Sequence, residues 1–313
     1  MSAPDATRED ARDAATPAAD TQPRQSIEVA YRAMDAALAG NDVAGYQAFL
    51  ADDFVEKTPG GAENKARHGK RWVARFAELE PLPLPRLVVQ RVRSYRGGRT
   101  ATVRTQQTRT VAYPDLFNPQ RINVSEEIDM LLDTWVHTPN GLRLWRRREP
   151  RLVRELRQRF ADDQAPRKRD DLTLEEQNRL VQIVYRDNVA RLRQIIRQFG
   201  WPGTSLVGSV GAETAFLIAQ HAVPDPAFQT EAFALLTEAV HQGEADPKHL
   251  AYLTDEMRVL AGEKQIFGTQ PIRDADGNPI LPPLEDPDAV DERRARIGLG
   301  PLDEFLAFYR NRA

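Results

Sequence analysis

The sequence predicts an α+β domain followed by a mostly α domain with a short β-hairpin. Three observations carry this prediction. Apolar residues change from helical to alternating spacing near residue 84 and return to helical spacing after about residue 150. The chain has 313 residues, which favours two domains over one. Between the two patterns lies a stretch, residues 161–171, that is charged and contains a proline, and it marks the domain boundary.

The beginning of the chain predicts a tail and then helices. Residues 1–25 are rich in Ala, Asp, Thr and Pro without apolar periodicity, so we expect a disordered tail. Ser26 is expected to cap a first helix and Asp42 a second, shorter one. A short strand over residues 52–58 and a third helix from about Gly69 complete this part.

Alternating residues from Leu84 onward predict a meander of about four strands. Gly97-Gly98 and Asn140-Gly141 are typical of hairpin turns. The clearest strand is expected over residues 126–136. One of its faces carries Glu127, Asp129, Leu131, Asp133 and Trp135.

Several short motifs accompany this order of elements: Ala39-Gly40-Asn41-Asp42, Asp52-Asp53-Phe54, His68-Gly69-Lys70 and Trp135-Val136 with Asn140-Gly141-Leu142-Arg143-Leu144. Through them, residues 26–152 resemble the nuclear transport factor 2-like, or ketosteroid-isomerase-like, cone family. The resemblance implies a curved sheet around a helix-lined pocket for a small-molecule ligand, and a homodimer formed through this domain. The mixed Leu131/Trp135 face is the surface expected to pair. The isomerase catalytic residues do not map onto this chain, so the resemblance does not imply isomerase activity.

Two carboxylates are candidates for the pocket of this domain. Glu56 follows Phe54 on one face of its strand, and Asp129 lies on the long strand. On a concave face they would form an acid/base pair, because burial raises the pKa of one carboxyl group. On an outer or dimer face they would instead be solvated or paired with Arg91, Arg93 or Arg104. The second alternative is favoured, since charged residues are rarely buried without a partner.

Composition excludes several classes of protein. The net charge of −3 argues against nucleic-acid binding. The absence of cysteine excludes disulfide scaffolds, thiolate catalysis and Cys-ligated zinc. No apolar run approaches the roughly 18 residues of a membrane span, and we expect a cytoplasmic protein without membrane contact. Residues 153–171 are basic and are interpreted as a solvated helical linker rather than a phosphate-binding stripe.

Residues 172–313 predict a mostly helical domain. A capping box joins Thr173 to Glu176, and Gly200 is expected to end the first long helix. An apolar run over residues 212–222 predicts a buried central helix. Three later helices are expected to begin at an N-cap followed by proline: Asp225-Pro226, Asp246-Pro247 and Asp286-Pro287.

Motifs in this second half are Gly200-Trp201-Pro202, Gln220-His221, Leu253-Thr254-Asp255, residues 265–270, Asp286-Pro287, Arg293-Arg294 and Gly298-Leu299. They make residues of about 172–309 resemble a bacterial domain family of unknown function. Phe267 stands where that family commonly has tyrosine, and Glu256 stands where arginine is usual. The family implies no known reaction.

The same motifs define a candidate site with Trp201, Gln220 and Gln265 among its ligand-binding residues. His221 is the expected general base, Asp255 the residue that orients it, and Gln270 a polarising group. The alternatives are a core histidine bonded to main chain and glutamines, Gln265 and Gln270, that satisfy turn main chain. Arg293 or Arg294 would hold an anion.

These residue types suit metal-free hydrolysis or transfer on a polar or anionic substrate. The alternative is a non-catalytic module that binds a ligand or a protein. No nucleotide-binding, nucleophile-elbow or short metal-ligand spacing occurs in the sequence, so no cofactor or metal is expected.

Overall fold

The computed structural model describes residues 21–58, 61–78, 86–95, 99–114, 122–274 and 279–310. Most of the predicted tail, residues 1–20, lies outside the described residues. The first helix begins at Thr21, five residues before the predicted cap at Ser26. Pro23 does not prevent this, because proline is tolerated in the first turn of a helix.

The chain divides into two compact units. Unit 1 comprises Met1–Val111, Val124–Glu155 and Ser205–Ser209, and unit 2 comprises Ala112–Asn123, Leu156–Thr204 and Val210–Ala313. Each unit thus combines segments that are distant in the sequence.

The first half of the chain contains the mixed helices and strands that the sequence predicts. They are helices α1 (Thr21–Ala39), α2 (Val43–Gln47) and α3 (Lys65–Glu78), and strands β1 (Leu50–Thr58), β2 (Gly61–Asn64), β3 (Arg86–Tyr95), β4 (Thr100–Pro114), β5 (Ile122–Thr138) and β6 (Gly141–Arg148). The strands form one six-stranded sheet in the order β2-β1-β6-β5-β4-β3. Strand β1 runs parallel to β6, whereas the β1–β2, β3–β4 and β5–β6 pairs are antiparallel.

Helix α1 supplies one wall of the core of unit 1. Its residues Ile27, Tyr31, Met34 and Leu38 are buried at helical spacing in a cluster that includes Trp135 of β5. Trp135 is 0% exposed, and Leu131 is also buried. Both residues of the face that we expected to pair in a dimer are therefore buried, and the homodimer remains a prediction without that support.

A buried ion pair lies beneath helix α1. Arg147 of β6 donates two hydrogen bonds to Asp133 of β5, at 2.9 and 2.7 Å. Tyr31 donates to the same carboxylate at 2.6 Å, and the Trp135 indole donates to the Tyr31 hydroxyl at 2.9 Å. Because every charge in this chain of bonds has a partner, the polar groups can be buried without large cost. We refer to these four residues as the Asp133–Arg147 network.

The second half of the chain is mostly helical, as the sequence predicts. Its elements are α4 (Arg151–Gln164), a 3₁₀ helix (Pro166–Lys168), α5 (Leu174–Phe199), α6 (Thr204–Gln220), α7 (Pro226–His241), α8 (Pro247–Leu260), strands β7 (Ile272–Arg273) and β8 (Pro279–Ile280), a second 3₁₀ helix (Pro287–Ala289), α9 (Val290–Arg296) and α10 (Leu302–Arg310). Helix α4 and the first 3₁₀ helix occupy most of the segment interpreted as a linker. Strands β7 and β8 pair as the expected hairpin, although residues 275–278 of its turn lie outside the described residues.

Most of the predicted helix caps are confirmed. Thr173 and Glu176 form the reciprocal capping box, and the side chains of Asp225 and Asp246 accept hydrogen bonds from main-chain N–H groups at the starts of α7 and α8. At Asp286 the prediction is right only in part: a 3₁₀ helix begins at Pro287, but Asp286 has a left-handed backbone (φ 50°) and its side chain makes no cap. The buried central helix is confirmed but begins earlier, at Thr204, and is kinked at Gly208, whose φ of 73° favours glycine.

Within the described ranges, no helix is both long and apolar enough to cross a lipid bilayer.

Asp133→Asn tests the Asp133–Arg147 network. The substitution keeps the side-chain shape but leaves the buried guanidinium without its counter-charge, so we expect the free energy of unfolding to fall by about 3–5 kcal/mol. Urea denaturation measures this loss. The control Glu292→Gln breaks an exposed pair with Arg296 and should cost at most about 0.5 kcal/mol. Equal stabilities for the two variants would contradict a structural role for the buried pair.

Candidate functional site

Unit 1 contains a second group of buried polar side chains, which we call the His68 relay. His68 of α3 is 1% exposed, and its Nδ1 lies 3.0 Å from Glu56 Oε2. Its Nε2 lies 2.9 Å from the Tyr46 hydroxyl. Arg71 donates to Glu56 at 2.5 Å. The phenol, imidazole, carboxylate and guanidinium groups are thus joined by three successive contacts.

The charges of the relay determine its protonation. Burial raises the pKa of Glu56, but the hydrogen bond from His68 and the charges of Arg147, His68 and Arg71 outweigh it and lower that pKa to about 2. A carboxylate that stays ionised can only accept, so His68 Nδ1 carries a proton and Nε2 accepts from Tyr46 when the ring is neutral. On the nearby α1, burial raises the pKa of Asp35 to about 6, despite the charge of Arg147.

Glu56 and Asp129 do not form the acid/base pair that was one of our two alternatives. Asp129 pairs with Arg109, whose guanidinium also lies 2.9 Å from Glu127. The reason is the strand order and register: β6 lies between β1 and β5, and Glu56 is level with Arg147 and Asp133, whereas Asp129 lies four residues away from Asp133 along β5. Each carboxylate has an arginine partner, but the partners are Arg71 and Arg109 rather than Arg91, Arg93 or Arg104, and Glu56 is buried rather than on an outer face.

Glu56, Glu63 and His68 place their ligand atoms within 4.8 Å of one another, close enough for a metal ion. The Arg71 guanidinium already fills this position. Its nitrogens lie 2.5 Å from Glu56, 3.1 Å from Glu63 and 3.0 Å from His68 Nδ1. A resident cation that contacts all three groups leaves no vacant position for a metal, so we assign none there.

In unit 2, Asp255 organises the loop of residues 265–270. Its carboxylate is 0% exposed and accepts hydrogen bonds from the N–H groups of Ile266, Phe267 and Thr269 and from the Thr269 hydroxyl, at 2.7–3.2 Å. A carboxylate that accepts this many donors is held in place by main chain. Asp255 therefore fixes the loop and has no described contact with His221.

The other predicted loop residues bind the same loop. Gln265 is 0% exposed and exchanges hydrogen bonds with the main chain of Gln270, at 3.3 and 2.8 Å. The Gln270 amide donates to the Tyr252 carbonyl at 3.2 Å. These contacts make both amides structural supports for the loop, and their role in ligand binding remains a prediction.

Arg293 and Arg294 both bind main-chain carbonyls. Arg293 donates to the carbonyls of Ile266, Glu285 and Asp286 at 2.6–2.9 Å. Arg294 is 1% exposed and donates to the carbonyls of Phe267 and Gly300 at 2.8 and 2.6 Å. Because these donors already have acceptors, the geometry lends no support to an anion clamp formed by this pair.

His221 lies in a different environment, at the C-terminal end of α6. Its Nδ1 is 3.0 Å from Oδ1 of Asp163 on α4. Asp163 thus contacts His221 in the position that we had predicted for Asp255. The ring of Tyr185 stacks on the imidazole with 4.7 Å between centroids and 21° between planes. Arg167 contacts both neighbours: it donates to the Tyr185 hydroxyl and, at 3.2 Å, to the Asp163 carboxylate.

This arrangement polarises the imidazole of His221. Burial raises the pKa of Asp163, but the hydrogen bond from His221 and the charges of His221 and Arg167 outweigh it, so the pKa lies below its usual value. The ionised carboxylate accepts from Nδ1–H, which leaves the lone pair of Nε2 available in the neutral ring. Among the described residues, no hydrogen bond to Nε2 is found, and 22% of the His221 side chain is exposed.

The buried side-chain atoms without a hydrogen-bond partner in the described chain include Trp201 Nε1, His249 Nδ1 and Glu256 Oε2. Burial raises the pKa of Glu256 to about 7 and lowers that of His249 to about 4. Trp201 was predicted as a ligand contact, whereas His249 and Glu256 were not. Gln220, the remaining predicted contact, accepts from Gln229 through its main-chain carbonyl at 3.0 Å.

Sequence motifs pointed to two of the residues that we did not predict as site residues, His68 and Glu256, but not to Asp163. His68 lies in a motif that carried the resemblance, and Glu256 was noted as a reversal of charge. Asp163 falls in the segment interpreted as a linker, 58 positions before His221. Nothing local to either residue indicates that they pair.

A comparison with protein families matches the second half of the chain. Residues 158–312 match a family of unknown function, DUF6624. This range is close to the one for which we noted a resemblance, although the individual motifs remain predictions. No curated protein is similar to the chain in sequence.

The chain is also similar to solved structures over part of its length. An NTF-2-like protein of unknown function from Shewanella oneidensis MR-1 is 8% identical, with 41% of this chain and 98% of that chain covered and a TM-score of 0.33. A ketosteroid isomerase-like protein from Erwinia carotovora atroseptica is 19% identical (41% and 95% covered, TM-score 0.32). Aln2 from a Streptomyces species is 16% identical (45% and 99% covered, TM-score 0.35).

Asp255→Asn separates a structural from a catalytic role of this residue. The amide loses one acceptor oxygen toward the loop, so we expect the free energy of unfolding to fall by about 1.5–3 kcal/mol. Hydrogen exchange should accelerate at the amides of Ile266, Phe267 and Thr269. The control Asp303→Asn alters an exposed carboxylate and should leave these amides unchanged. Unaltered exchange in the Asp255 variant would contradict the structural role.

The pKa of Glu56 predicts a pH dependence of stability. Because the pKa falls from 4.5 to about 2 on folding, the ionised carboxylate stabilises the protein fully above about pH 4.5, and this contribution is lost as the pH falls toward 2. The shift corresponds to about 3 kcal/mol. Urea denaturation of the wild type and Glu56→Gln should show a difference that narrows below about pH 4.5. A difference independent of pH would refute the assignment.

Proposed function

We propose that the C-terminal half of the chain is a metal-free hydrolase or transferase that acts on a small polar molecule. His221 is the general base, and Asp163 is the positioning residue that holds it. The observation that carries the proposal is the 3.0 Å contact between His221 Nδ1 and Asp163 Oδ1. A carboxylate in this position fixes the tautomer that leaves Nε2 free to accept a proton, and it stabilises the imidazolium that results.

The surroundings of His221 support this proposal. The stacked ring of Tyr185 restricts the rotation of the imidazole, and Arg167 holds both Tyr185 and Asp163. The side chain of Asp163 is only 5% exposed, so little water competes for the bond. A base that is prevented from rotating and partly exposed at one nitrogen is suited to proton transfer. The alternative is that the same residues bind a ligand or a protein without turnover.

A second proposal concerns the first half of the chain. It is a cone-shaped domain of the nuclear transport factor 2-like type that binds a small molecule. The His68 relay favours this proposal, because a core that serves only stability can be built from apolar side chains and does not need a connected set of buried polar groups. The homodimer through this domain remains a prediction.

Turnover of activated probes tests the first proposal. The full-length protein is assayed with 4-nitrophenyl acetate and 4-nitrophenyl phosphate. For whichever of the two probes the wild type hydrolyses, His221→Gln should lower the rate of hydrolysis by about 100-fold or more. Asp163→Asn should also lower it, because the preferred tautomer is lost. The control His241→Gln alters an exposed histidine and should not change the rate.

Circular dichroism establishes that each variant is folded. A wild type no faster than buffer on both probes, or a His221 variant as fast as the wild type, would overturn the catalytic assignment. The non-catalytic alternative would then be favoured.

A further inference from the structure

Helix α8 presents two polar groups that no described residue satisfies. His249 Nδ1 and Glu256 Oε2 are buried and have no hydrogen-bond partner in the described chain. They are seven residues apart, about two helical turns, and so lie on the same face of α8. Buried polar atoms are nearly always hydrogen-bonded in folded proteins, so a partner from outside the chain is expected here.

The wall around these two groups is apolar and aromatic. His249 stacks on Phe216, with 4.3 Å between centroids and 3° between planes. Leu253, between the two polar groups on α8, belongs with Phe216 to one buried cluster. Trp201 packs against the same cluster, and its Nε1 is also buried without a partner in the described residues. The two polar atoms therefore lie beside aromatic rings and aliphatic side chains.

Tyr185 links this wall to His221. The ring of Tyr185 stacks on His221. Burial raises the pKa of the Tyr185 phenol, Arg167 lowers it, Asp163 raises it, and the charge of Glu256 raises it by a smaller amount. A ligand that contacts Glu256 is thereby near the proposed general base. A ligand site at Glu256 thus rests on the proposed function and adds a class of substrate to it.

The lack of a paired cation at Glu256 among the described residues restricts the class of ligand that this side chain can bind. Burial alone raises the pKa of this carboxyl to about 7, with no nearby cation acting to lower it. The cations closest in sequence or predicted for the site are engaged elsewhere: Arg258 binds the Lys264 carbonyl and Glu285, and both arginines of α9 bind main-chain carbonyls. Arg167 is likewise engaged, with Asp163 and the Tyr185 hydroxyl, so within the described ranges no cation forms an ion pair with Glu256.

We infer that Glu256 recognises a positively charged nitrogen, an ammonium or amidinium group, on a ligand that reaches His221. An ionised Glu256 accepts a charge-assisted hydrogen bond from such a group. The aromatic and apolar side chains of the wall pack against its carbon skeleton. An anionic substrate, which the sequence also allowed, would meet an acidic group here and be disfavoured.

Binding of matched small probes tests this inference without turnover. Benzylammonium, benzamidinium, benzyl alcohol and benzoate are titrated into the full-length protein at about pH 8, above the pKa of the Glu256 carboxyl, and followed by ligand-observed NMR. The two cations should bind at least about tenfold more tightly than the alcohol, and benzoate should bind most weakly. Glu256→Gln should remove the preference for the cations, because the amide is isosteric but neutral.

Two control variants separate this inference from the proposed function. Glu175→Gln neutralises an exposed glutamate on α5 and should leave the preference unchanged. His221→Gln should abolish turnover but retain the preference for the cations. Cation binding that is no tighter than that of the alcohol, or that survives in Glu256→Gln, overturns the inference. A wild type that binds the cations but hydrolyses neither activated probe faster than buffer overturns only the catalytic proposal.

Discussion

The high free-energy cost of burying a carboxylate without a partner is the constraint on which much of this structure depends. Asp133 is buried with Arg147, Glu56 with His68 and Arg71, and Asp255 with the N–H groups of one loop. Asp163 is buried with His221. In each case the partner also brings two elements of one unit together, so the electrostatic requirement fixes geometry as well as protonation. Glu256 departs from this pattern, and that departure is the basis for assigning it to a ligand.

Features that depend on neighbouring residues were predictable from the sequence. Thr173, Asp225 and Asp246 cap helices because the side chain reaches an N–H group two or three residues away. The alternation that predicts strands is likewise local. Asp286 has the same residue type before proline, yet its positive φ turns it away from a capping geometry. A dipeptide does not reveal the backbone angle that the surrounding fold imposes.

Features that depend on distant contacts could not be predicted. The residues of the second-half motifs do meet in part, since Asp255, Gln265, Gln270 and the α9 arginines converge on one loop. A sequence does not distinguish a carboxylate that orients a histidine from one that holds main-chain amides, which is why Asp255 was given the role that the geometry favours for Asp163. In unit 1, the position of β6 between β1 and β5 kept Glu56 and Asp129 apart. That strand order follows from packing of the whole sheet rather than from any single strand.

The central claim is that Asp163 determines the protonation of His221, and the tautomer of that ring tests it most directly. The ¹⁵N chemical shifts of the His221 imidazole distinguish a protonated Nδ1 from a protonated Nε2 at a pH where the ring is neutral. The account predicts Nδ1–H in the wild type, a shift toward Nε2–H in Asp163→Asn, and no change in Asp255→Asn. A wild-type ring protonated mainly at Nε2, unaffected by Asp163→Asn, would contradict it.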